Sequence, residues 1–121
     1  MTNIKIQGIV DGGVANNERL ILQATGIDNI GLYVVFLTRE TTPGRISSTP
    51  KNSYWFPDQN VKDGDKIVLY TKSGVSSQRA NPNGSTTFFY YWGLSSTVFN
   101  NSSDTAALLK IEQWEYKTKG S

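Results

Sequence analysis

Turn-forming residues interrupt this chain so often that no helix of ordinary length fits between them. The clusters are DGGVANN (11–17), TTPGRISSTPKN (41–52), DQNVKDGD (58–65) and SGVSSQRANPNGS (73–85). Gly supplies positive φ, Pro removes a backbone donor, and Asn, Asp and Ser bond to nearby main chain. Between the clusters lie short runs rich in Ile, Val, Leu and aromatics, the composition of strands. NIKIQGIV (3–10) alternates, with Ile4, Ile6 and Val10 on one face. ERLILQA (18–24) puts Leu20 and Leu22 on one face. IGLYVVFLTRE (30–40) is almost continuously apolar and reads as a central strand covered on both sides. SYWFP (53–57) is a short strand stopped by Pro57, and KIVLYTK (66–72) a strand with Ile67 and Leu69 inward. The last two are Phe88–Trp92 and TAALLKIEQWEY (105–116). The latter has helix-forming residues, but Ile111, Trp114 and Tyr116 favour a strand. Seven strands at this spacing predict an antiparallel sandwich or small barrel.

The length of 121 residues suits one domain spanning 1–121, with room for a core that needs no staples. There is no Cys, hence no disulfide framework or thiolate zinc site. There is no His either, which removes the commonest general base and transition-metal ligand. Ser and Thr are plentiful, but no nucleophile elbow or S-x-x-K pattern activates one, and no Gly-rich loop cradles a phosphate. The expectation is a non-enzymatic domain without a cofactor. No apolar run approaches the length of about 20 residues that a membrane helix needs, so no membrane insertion is expected. The first residues, MTNIKIQGIV, lack the basic and apolar regions of a signal peptide.

Three groups of side chains deserve a functional reading. Asp58, Asp63 and Asp65 surround the Asp63-Gly64 turn and could offer hard oxygens to calcium, for a carbohydrate or peptide ligand. The competing reading is a β-turn in which Asp and Gly serve backbone geometry. Arg39, Arg45, Lys51, Lys62, Lys66, Lys72 and Arg79 lie in loops or at strand ends. With Tyr33, Tyr54, Tyr70 and Tyr91 they supply raw material for nucleic-acid binding. A net charge of +2 argues against strong phosphate binding. Asp104, just before the last strand, is expected to accept hydrogen bonds from loop amides.

YWGLSSTVFNNSSDTAALL (91–109) resembles the late motif of lamin tail domains. Trp92-Gly93, Phe99, Asn100-Asn101 and Asp104-Thr105-Ala106 stand at the family positions. NERLILQATG (17–26) is similar to the early strand through Asn17 and Glu18. FPDQNVKDGDKIVLY (56–70) is similar to the middle motif through Phe56-Pro57 and Gly64-Asp65. The resemblance runs over about 17–110 with the motifs in order. It departs at Gly31-Leu32, Ala24, Phe99 and Ser103, where the family has Gly-Trp, Asn, Trp and Gly. It implies an immunoglobulin-like antiparallel β-sandwich of about seven to nine strands. In nuclear lamins such a domain is a docking surface for proteins and chromatin; no coiled-coil heptads occur here. The Trp-Gly position places Phe88, Tyr90 and Trp92 inward and leaves Phe89 and Tyr91 to a covering loop or a partner. The expected function is therefore recognition or assembly. A protein or a second copy would dock through Phe89 and Tyr91, with Arg79 and Lys72 nearby, since exposed aromatics mark interfaces.

Overall fold

In the computed structural model, which describes residues 2–120, the strand-rich runs pair into sheets and one 3-10 turn (Ile30–Leu32) interrupts them. In order, the strands are β1 (Ile4–Val10), β2 (Arg19–Ala24), β3 (Asp28–Asn29), β4 (Tyr33–Thr42), β5 (Arg45–Ile46) and β6 (Asn52–Trp55). They continue as β7 (Asn60–Val61), β8 (Lys66–Tyr70), β9 (Ser77–Ala80), β10 (Thr86–Tyr91) and β11 (Asp104–Lys110). The protein is all-β.

The first sheet has the order β1-β2-β8-β10-β9. Its pairs are antiparallel except β8 and β10, which run parallel. The chain leaves β8, crosses to the sheet edge as β9, and returns as β10 into the gap between them. In the second sheet β4 lies between β11 and β6, and β5 continues pairing at its far end. β3 and β7 form a short separate ladder. The inward faces meet in one core. Leu20, Leu22, Ile67, Leu69, Phe88 and Tyr90 come from the first sheet; Tyr33 and Val35 on β4, with Phe56, come from the second. Each fully buried Leu or Ile contributes roughly 1.5–3 kcal/mol, so this apolar contact holds the layers together. Trp92 is half-buried and packs against the same core.

Several sequence expectations need correction. Val10 does not share a face with Ile4 and Ile6. Ile6 pairs with Leu22 but Gly8 pairs with Ile21, so a bulge at Gln7 shifts the phase. Val10 therefore joins the outer face and Ile9 the inner one. On this edge strand the inner side is only partly covered, and Ile6 and Ile9 remain 41% and 39% exposed. The run 30–40 begins as a turn rather than a strand. Asn29 Oδ1 accepts from the backbone N–H groups of Gly31 and Gln59, and β4 starts only at Tyr33. Its outer side is half-covered at Val34 and Phe36 rather than sealed. Segment 41–52 contains a hairpin in which Pro43-Gly44 turns β4 into β5, with Gly44 at φ 82°. Within 58–65, Asn60 and Val61 pair with β3. The loop 73–85 hides β9, whose exposed Ser-Gln-Arg-Ala sequence pairs with β10. The last strand ends at Lys110, not residue 116. The Ile111 N–H donates to the Leu32 carbonyl, and Trp114 then packs edge-on against Trp55, 5.3 Å between centroids.

Loops at one end of the sandwich are tied by a single carboxylate. Glu18 is 1% exposed. Its Oε1 accepts from Thr71 Oγ1 at 2.7 Å and Val98 N–H at 2.9 Å; its Oε2 accepts from Gly13 N–H at 2.8 Å and Phe99 N–H at 2.9 Å. Burial pushes its pKa up, but these bonds together outweigh burial and hold it below the ordinary glutamate value. Replacing Glu18 by Gln puts an NH₂ against two of these donors and should cost about 2–4 kcal/mol, read by urea denaturation. Because the folded-state pKa is depressed, the wild-type contribution is present above the unfolded-state pKa. It is lost as pH falls through the folded one. Stability of the wild type should thus drop on acidification below about pH 4.5, and E18Q should flatten that part of the profile.

Candidate binding face of the five-stranded sheet

The alternation that sends Leu20, Leu22 and Ala24 inward sends Arg19, Ile21 and Gln23 outward on β2. Register then builds three rows across the outer face. Val10, Arg19, Tyr70 and Tyr91 form the first. Gly8, Ile21, Val68, Phe89 and Ser77 form the second. Gln23, Lys66, Thr87 and Arg79 form the third. The middle of this face is a depression of about 440 Å³ floored by Gly8, Ile21 and Val68. A second of about 340 Å³ adjoins it, sharing Lys66, Arg79 and Thr87 and extending past Gln23 to Asn81 and Asn83.

The four residues expected to meet a partner all belong to this region. Tyr91 stacks on Tyr70, with centroids 5.4 Å apart and planes 9° apart. Lys72 lies over the Tyr70 ring at 4.9 Å and Arg19 at 5.7 Å. Arg79 lies over Phe89 at 5.6 Å. Phe88 and Tyr90 are buried, as the inward phase requires, and burial raises the Tyr90 pKa to about 12. Phe89 and Tyr91 are half-buried rather than open. Gly74 in the loop after β8 explains Tyr91: a Cβ there would lie 2.4 Å from Tyr91 Cδ2. One side of the ring faces Tyr70 and another is closed by backbone that only glycine permits.

The sequence reading missed Arg19, Gln7 and Gln23 as members of this face and did not join Tyr70 and Lys66 to Phe89. For β2 the signal was present in the outward half of its alternation. The parallel partnership of β8 and β10 had none.

The calcium candidates do not converge. Among the described residues no group of three or more acidic side chains could hold a metal ion. Asp65 is buried, and its oxygens accept from the N–H groups of Lys62 and Thr86 and from Lys62 Nζ. Burial raises its pKa, but these bonds and the lysine charge outweigh that and leave it lowered. Asp58 accepts from Asn29 Nδ2 and packs over Gly31, while Asp63 is an exposed turn residue. Asp104 caps its loop as expected: its Oδ2 accepts from the Asn100 and Asn101 N–H groups at 3.0 and 2.8 Å. Of the tyrosines considered for base stacking, Tyr33 is in the core, its hydroxyl donating to Asp28 at 2.6 Å, and Tyr54 packs against Phe56 and Trp92.

The chain matches no protein-family model, no curated protein and no solved structure. The likeness to lamin tail domains rests on its sequence motifs.

Gly74→Ala should lower stability by about 1–3 kcal/mol, because the new methyl must displace the Tyr91 ring or the loop. Tyr91→Ala in the same background should recover part of that loss. Paired thermal melts of the single and double variants measure the coupling.

Proposed function

We propose that this chain is a non-enzymatic recognition module, a lamin-tail-like immunoglobulin-type sandwich that docks a partner on the outer face of the five-stranded sheet. The observation that carries this reading is an excess of unneutralised cations. Lys5, Lys66, Lys72 and Arg79 stand on or beside this face. The ion pairs among the described residues, Arg19–Asp11, Lys62–Asp65 and Lys110–Asp28, involve none of them. Two of the four are held over aromatic rings, which fixes their position while leaving N–H groups for a ligand. The rings thus act as a platform beneath the charges, and the partner meets the charges first. Docking of a second copy through the same patch is opposed, since a two-fold interface would set these cations against each other. The favoured partner is a different molecule that brings negative charge.

NMR titration with a panel of anionic and neutral polymers tests the location. Amide shifts induced by any binder should concentrate on β2, β8, β9 and β10, and affinity should fall as salt rises. Shifts confined to the second sheet or to the 58–65 turn, or binding indifferent to salt, would overturn the reading.

A further inference from the structure

We infer that the two adjoining depressions on this face form a subsite for an acidic polysaccharide, a chain of uronate-type sugars held without a metal ion. The inference rests on the proposal that this face is the docking surface, and it adds the chemistry of what docks. The first support is charge complementarity. Lys66 and Arg79 stand where the two depressions meet, with no carboxylate at ion-pair distance among the described residues. A guanidinium and an ammonium at that junction suit the carboxylates of successive sugars.

The second support is the hydrogen-bonding inventory. Gln7 Nε2 donates to Gln23 Oε1, which leaves the Gln7 oxygen as an acceptor and the Gln23 NH₂ as a donor. Asn81 Nδ2 donates to Ser85 Oγ and Thr87 Oγ1, so its oxygen remains available. Asn83 Oδ1 accepts from the Ser85 N–H and hydroxyl, so its NH₂ remains available. The groove therefore offers acceptors and donors together. Sugar hydroxyls are both donors and acceptors and use such a set fully, whereas phosphodiesters only accept. The third support is the floor. Gly8, Ile21 and Val68 make an apolar bed, with Tyr70 and Phe89 also lining the depression, and such a surface suits a pyranose C–H face.

The same geometry argues against a single-stranded nucleic acid. Sequence-tolerant base binding needs open aromatic faces. Here Tyr91 is closed by Tyr70 and Gly74, Tyr70 lies under Lys72 and Arg19, and Phe89 lies under Arg79. The depressions are each of a size that takes a small organic ligand, so together they accept an oligosaccharide rather than one sugar.

The test uses isothermal titration of the intact chain with oligogalacturonate, its methyl-esterified form, an oligothymidylate and an oligoglutamate. NMR mapping accompanies each binder. Oligogalacturonate should bind, and the neutral ester should bind on the order of tenfold more weakly or not at all. The exposed double variant Lys66→Gln/Arg79→Gln should lose a similar factor while melting like the wild type. Arg39→Gln/Arg45→Gln on the second sheet should change affinity less than about twofold. Absence of oligogalacturonate binding, or equal binding of the ester, overturns the inference. Tighter binding of oligothymidylate or oligoglutamate, with shifts on this face, overturns the polysaccharide but leaves the docking face standing. Oligogalacturonate binding that K66Q/R79Q leaves intact, with shifts elsewhere, overturns both.

Discussion

The hydrogen bonds converging on Glu18 are the constraint on which the loop end of the sandwich depends. A buried carboxylate with no cation beside it is expensive unless its lone pairs are filled. Here four neutral donors fill them, and they come from three separate stretches of chain: Gly13, Thr71, and Val98 with Phe99. Those stretches are the β1–β2 connection, the exit from β8 and the long connection between β10 and β11. One side chain thereby sets how the loops leave the first sheet. It also fixes where Phe99 enters its buried position and, through Thr71, where the Lys72–Gly74 segment begins.

That placement reaches the outer face of the five-stranded sheet. The segment after Thr71 puts Lys72 over Tyr70 and Gly74 against Tyr91. The bulge at Gln7 acts from the opposite edge. It turns Gly8 and Val10 outward, which gives the depression a low floor at Gly8. Had the phase of β1 continued unbroken, Gln7 instead of Gly8 would have stood opposite Ile21, and Ile9 instead of Val10 opposite Arg19, so a side chain would have replaced the low glycine floor. A one-residue irregularity on one side and a glycine contact on the other shape the surface between them.

Much of the fold was legible in the residues. Leu20 and Leu22, Ile67 and Leu69, and Phe88 and Tyr90 announced their inward faces by simple alternation. Pro57, Gly64 and Asp104 marked turns for local reasons. What was not legible depended on partners far away in the chain. β9 has no strand-forming side chains and exists because β10 offers it a ladder. Ile30–Leu32 looks like the start of a strand, but Asn29 and Gln59 bend it into a turn. Of the outer face of the five-stranded sheet, Phe89, Tyr91, Arg79 and Lys72 could be guessed individually; that Tyr91 and Lys72 meet at Tyr70 while Arg79 lies over Phe89 could not.

Local residue patterns set the strand class, the turns and which side of most strands faces the core. These follow from local sterics and from period-2 burial, which act over a few residues. The tertiary structure alone decided that β10 lies parallel beside β8, that Glu18 gathers three loops, and that Arg79 and Lys66 share a groove with Gln23. Those outcomes turn on strand order and register, which are settled by the competition among long-range pairings and by the fit of the whole core.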